Sequence, residues 1–205
     1  MTTRITLRDR LRYLLRDVKD LQVDDCETAW TAAANVTATA DATYYKEGTK
    51  SAKLVIAAGH TTGIAGSYNI TEVDLSAYKE IAFWFRSSIA LDAGDYEIVL
   101  CRAQSGAGQL ENLDIPAIVA VTEVDIWFRI TVAMSDPSAC TNIVSVGLNV
   151  AVDKEGATVY IDDIRAVPAT RMLTNLEYNE AIDKANREYS RVYPSRQMTI
   201  LNIQK

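Results

Sequence analysis

The sequence predicts a mainly β protein, a two-sheet sandwich set between two amphipathic helices and followed by an extended tail. Three observations carry this. From about residue 23 to 167, alanine, threonine, valine and tyrosine come in short runs broken by glycine or Asp-containing turns, with no helical period between them. At both ends the apolar residues recur instead at helical spacing. Charge is segregated in the same way: residues 1–20 hold six basic and three acidic side chains, residues 165–205 seven and four, and the middle eight and twenty.

The N-terminal helix is assigned to residues 1–22. Thr6 and Asp9 make a start like a capping box, and neither glycine nor proline interrupts the remainder of the segment. Leu7, Leu11, Leu14, Leu15, Val18 and Leu21 form one apolar stripe, and the opposite face is mostly arginine. The sandwich is assigned to residues 23–167, with strands at 36–43, 51–57, 66–70, 79–86, 96–102, 113–121, 127–132, 143–150 and 158–167. Pro116 falls inside one of these and is expected at an edge or a bulge, because it has no N–H for the ladder. A second helix is assigned to 168–194: Thr174 and Glu177 cap it, Tyr178, Ile182, Ala185, Tyr189 and Val192 form its stripe, and Pro194 ends it. The arm at 195–205 carries Met198, Ile200, Leu201 and Ile203 with no local partner, which suits strand addition to another chain.

Composition narrows the function classes. No run approaches the ~20 apolar residues of a membrane span, and the charged opening lacks the apolar stretch of a secretory signal. Cys26, Cys101 and Cys140 lie too far apart for metal-ligand spacing or a disulfide framework, which suits folding in a reducing compartment. The single histidine, His60, sits in a glycine-flanked loop without a nucleophile motif, a phosphate-cradling loop or a zinc signature elsewhere. No catalytic residue is therefore assigned, and no enzyme is expected. The acid pairs Asp24/Asp25 and Asp162/Asp163 are read as strand-end groups. Trp84, between Phe83 and Phe85, must face away from the core side of its strand, toward solvent or a ligand, and Trp127 beside Phe128 poses the same choice. Both are candidate ligand-stacking residues, with core or edge packing as the alternative.

Three stretches carry a family resemblance: Asp24-Asp25-Cys26-Glu27 with Trp30 and the following Lys46 to Leu54; Val73-Asp74-Leu75 leading into Phe83-Trp84-Phe85; and the closing Val159-Tyr160-Ile161-Asp162-Asp163-Ile164. Over roughly residues 23–167 the chain resembles the jelly-roll domains found as carbohydrate-binding modules and as accessory domains of phage structural proteins. That resemblance implies first and last strands side by side, and a structural calcium held by Asp25, Glu27 and Asp162 with a carbonyl near residues 46–48. The stretch from Leu176 to Pro194 is similar to a helix of tailed-phage head-to-tail adaptor (connector) proteins. This second resemblance implies a virion structural protein assembled in the host cytoplasm: a neck ring of identical subunits docked on the portal and on neighbouring neck or tail proteins. Leu11, Leu15, Tyr178, Ile182, Tyr189, Met198, Ile200 and Ile203 are then the partner-binding residues, the arginine face offers non-specific DNA contact, and no membrane is involved. The alternative is a carbohydrate-binding or host-adhesion module of a phage structural protein, in which the sandwich carries the function.

Overall fold

The computed structural model describes residues 19–119, 123–154, 156–168, 179–180, 182–184 and 187. The chain divides into two compact units, Asp20–Ala169 and a second made of Met1–Lys19 and Thr170–Lys205. Of the second unit beyond Lys19, Asn179, Glu180, Ile182, Asp183, Lys184 and Arg187 are described. All six are helical, and Ile182 is buried. Leu11, Leu15, Tyr178, Tyr189, Met198, Ile200 and Ile203 lie outside the described residues.

The first unit is a sandwich of two antiparallel sheets. Its strands are β1 (Leu21–Asp24), β2 (Thr31–Ala32), β3 (Val36–Asp41), β4 (Ser51–Ile56), β5 (Gly63–Val73), β6 (Tyr78–Ser87), β7 (Tyr96–Cys101), β8 (Gln109–Asp114), β9 (Phe128–Ala133), β10 (Ile143–Val150) and β11 (Thr158–Pro168). The first sheet runs β3-β4-β11-β6-β9, with β1 also on β11; the second runs β2-β5-β10-β7-β8. Alternation explains which side of each strand is inside. Ile81, Phe83 and Phe85 of β6 and Val159 and Ile161 of β11 meet Tyr96, Ile98 and Leu100 of β7 and Val146, Leu148 and Val150 of β10 in one core. Phe83 and Phe85 are fully buried, and each such side chain contributes about 2–3 kcal/mol by leaving water.

Three expectations are corrected. Leu21 and Gln22, assigned to the first helix, begin β1 and stand opposite Ala166 and Arg165 of β11. Leu21 fits a helical stripe, yet its strand neighbour Val23 is the residue that alternation buries with it. The strand assigned to 113–121 is instead Gln109–Asp114. Pairing ends where the Ile115 amide reaches the Tyr96 carbonyl, just before Pro116, and Ile118 makes only a single bridge to Leu91. Asp162 and Asp163 lie inside β11, not at its end.

That last placement follows from how β11 is shared. Its first half, Thr158 to Ile161, pairs with β4, and its second half pairs with β1. Between them the register to β6 shifts, and Asp163 takes φ +50. Inserting this one residue keeps Ile164 and Ala166 on the inner face after Ile161, so the core stripe survives the irregularity. It also turns the Asp163 carboxylate toward Arg129 and Arg165.

Candidate functional site

The outer face of the first sheet gathers the aromatic and charged side chains that the core rejects. Register sets them in rows across the strands: Lys53 opposite Tyr160 opposite Arg86, and Asp162 opposite Trp84 opposite Arg129. Trp84 is half-buried while its neighbours Phe83 and Phe85 are wholly inside. The Lys46 ammonium lies 5.1 Å and the Arg129 guanidinium 5.7 Å from the Trp84 ring centroid. In the adjoining row Arg86 packs 4.0 Å over Tyr44 and 5.0 Å from Tyr160, while Trp127 lies 6.2 Å from Tyr160. Cations over ring faces attract through the ring quadrupole, so the face is a continuous aromatic and cationic layer.

Residues 42–50, the β3–β4 connection, are folded across this layer. Asp162 Oδ2 accepts from the Lys46 amide at 2.6 Å and the Glu47 amide at 3.0 Å. Glu27 accepts from the Thr49 amide and hydroxyl, both at 2.6 Å, and from the Lys50 amide at 3.2 Å. The Ser51 hydroxyl donates to the Tyr44 carbonyl. Gly48, at φ +61, passes so close to Glu27 that a Cβ would strike its carboxylate. This crossing loop buries Asp162 completely and leaves its other oxygen, Oδ1, without a hydrogen-bond partner among the described residues. Burial pushes the Asp162 carboxyl pKa up, whereas hydrogen bonds from Thr49 pull that of Glu27 down.

Asp25, Glu27 and Asp162, the residues implied for calcium, are not brought to one point. Asp25 is exposed and accepts the Glu27 amide at 3.1 Å, and both Glu27 oxygens serve the crossing loop. Among the described residues no group of three or more acidic, histidine or cysteine side chains is placed to hold a metal ion. With Glu27 committed to the crossing loop, the predicted three-carboxylate site does not fit this arrangement. The neighbouring buried acid, Asp24, accepts from the Trp30 indole at 2.9 Å and the Cys26 amide at 3.1 Å, and serves to lock the end of β1.

The second sheet offers a different outer face. The β7–β8 connection curls back over it: the Ser105 amide donates to Asn69 at 2.8 Å, the Gly106 amide to Ser145 Oγ at 3.2 Å, and the Ser145 hydroxyl to the Ala103 carbonyl at 2.6 Å. Gly106, at φ +74, approaches Ile64 so closely that a Cβ would stand 3.1 Å from it. Beyond this cap, Glu97 accepts amide hydrogens from both Asn112 and Asn149 at 2.8 Å. Neither Trp84 nor Trp127 reaches this side, and it lacks an aromatic platform among the described residues. His60 is buried in the β4–β5 turn, its amide donating to the Ala57 carbonyl, with no nucleophile hydrogen-bonded to its ring among the described residues.

Comparison with solved structures places this architecture. The family 11 carbohydrate-binding module of the cellulosomal cellulase Lic26A-Cel5E of Clostridium thermocellum superposes with a TM-score of 0.50 at 17% identity, over 77% of this chain and 99% of that one. An arabinose-bound α-L-arabinofuranosidase, MgGH51, gives a TM-score of 0.51 at 15% identity over 73% of this chain and 26% of that one. The sandwich has the jelly-roll fold of carbohydrate-binding modules. At these identities the likeness is one of fold. No family model matches the chain, and no curated protein sequence matches it. The adaptor resemblance finds no support in these matches.

Proposed function

We propose that the sandwich is a non-catalytic saccharide-binding module whose contact surface is the outer face of the first sheet, centred on Trp84. The observation that carries this reading is a half-buried tryptophan held outside the core by alternation, flanked by hydrogen-bond donors and adjoined by Trp127, Tyr44 and Tyr160. Sugars present apolar C–H faces and hydroxyl edges, and a rigid aromatic ring with polar neighbours matches both. The jelly-roll fold is consistent with this role and does not by itself establish it.

Titration calorimetry of the full chain against an oligosaccharide panel tests the reading. Trp84→Ala is expected to weaken the bound saccharide at least about tenfold while the melting temperature stays within ~3 °C, since the ring is outside the core. Saccharide binding that is absent, or indifferent to both Trp84→Ala and Trp127→Ala, would sink it.

A second reading concerns the other unit. The two chain ends fall in the second compact unit, and this reading gives that unit the task of attaching the sandwich to a larger assembly. A phage neck ring docked on the portal is the assembly that the adaptor resemblance suggests, and adhesion to a host surface is what the sandwich would add to it.

A further inference from the structure

The two charged heads that pack against the Trp84 ring are both cationic, and Asp162 and Asp163 lie underneath. Lys46 is exposed and makes no ion pair among the described residues. Arg129 spends one nitrogen, Nη1, on the Asp163 carboxylate and carbonyl, both at 3.1 Å; its other two have no hydrogen-bond partner among the described residues. Asp163 is shared with Arg165, whose Nε reaches it at 2.7 Å. Asp162 gives one oxygen to the Lys46 and Glu47 amides. Both acids are at most 3% exposed, so they hold the cations in place without presenting negative charge to a ligand.

Two cationic heads thus lie within 6 Å of one ring centroid, with one matched by a carboxylate and one not. Like charges gathered about one ring repel, and an anion placed among them would offset that repulsion. The Lys46 backbone is anchored, because its amide is tied to a buried acid. Glu47, next in the chain, is exposed, and its side chain makes no ion pair with Lys46 among the described residues. Elsewhere on the face Arg86 is paired with Asp125 at 2.9 Å and Lys53 with Asp41 at 3.5 Å, whereas Lys46 has no carboxylate partner among the described residues.

We infer that the saccharide taken at this face is acidic: a ring carboxylate, as in a uronic acid, bridges Lys46 and the open edge of Arg129 while the sugar ring lies against Trp84. The inference rests on the saccharide-binding reading and adds the ligand's charge. A planar guanidinium paired with a point-like ammonium suits a carboxylate held from two sides.

The test is calorimetry and tryptophan fluorescence of the full chain with three probes: a galacturonate hexamer, cellohexaose and dextran sulfate. The hexauronate is expected to bind and to quench fluorescence. Lys46→Gln should weaken it about five- to tenfold, Lys46→Arg should restore most of that loss, and Trp84→Ala should abolish the quenching. Raising ionic strength from about 0.05 to 0.3 M should cost about three- to tenfold in affinity. Because Lys46 lies on an exposed loop, its variants keep the test sound even if Arg129→Gln, which strands Asp163, fails to fold. Cellohexaose bound as tightly as the uronate, with no effect of Lys46→Gln, overturns the inference and leaves the saccharide reading standing. Dextran sulfate bound equally well and indifferent to Trp84→Ala overturns it too, as mere attraction to a polyanion. Failure of every saccharide defeats both.

Discussion

At the scale of single residues, Asp162 concentrates the tension in the sandwich. It is fully buried, holds two amides through one oxygen, and has no hydrogen-bond partner on the other among the described residues. Its carboxyl pKa is raised by burial, so the folded state holds its proton more tightly than the unfolded chain does. The contribution of Asp162 to stability is therefore intact below the ordinary carboxylate value of about 4 and is lost as pH climbs through the raised folded value. Asp162→Asn keeps an oxygen for the two amides and sets its NH2 in the orphaned position. Its melting temperature is expected to exceed the parent's at pH 7.5 by about 2–4 °C, on the order of 1 kcal/mol, with the difference closing toward pH 4. Thermal scans from pH 3.5 to 8 check this. A lower melting temperature for the variant, together with calcium-dependent stabilisation of the parent, would show that a cation neutralises Oδ1 and that this account of Asp162 is wrong.

At the scale of elements, the crossing loop of residues 42–50 places Lys46 over Trp84 and depends on two distant acids to do so. Glu27→Ala removes the acceptor for the Thr49 and Lys50 amides, and hydrogen exchange at those two amides is expected to quicken at least about tenfold while the core strands keep their protection. Affinity for the ligand should fall in step, since Lys46 would lose its station; unchanged exchange would mean the loop is held by its aromatic contacts instead. Much of the elemental plan is legible in the sequence. The run at 143–150 coincides with β10, and the outward turn of Trp84 follows from Phe83 and Phe85 alone. Alternation reports sidedness, however, and says nothing of where a loop goes. Neither connection that lies back on a sheet has a periodic signature. Nor does the pairing of Arg129 with Asp163, thirty-four residues away, or the inserted residue in β11 that makes it. β2, two residues long, is too short for any periodicity to register.

At the scale of the whole molecule, the sandwich has a core of its own: among the described residues its apolar cluster is drawn from strands and connections between Leu21 and Ala166. The isolated stretch Asp20–Ala169 is expected to fold as a monomeric all-β domain that melts cooperatively and retains the saccharide, while the full chain sediments as a larger assembly. Circular dichroism and analytical ultracentrifugation of the two chains decide this, and a fragment without a cooperative melt, or a monomeric full chain, would count against the corresponding half. The pairing of β1 with β11 has a mechanical side. Leu21 stands opposite Ala166 in an antiparallel pair, so the two ends of the domain leave from the same end of neighbouring strands, roughly 5 Å apart. Tension drawn through those ends would not shear the ladder as a block. It would open it like a zip, one rung at a time, starting with the four residues of β1, and the rest of the sandwich would feel the load only after that short strand had peeled away.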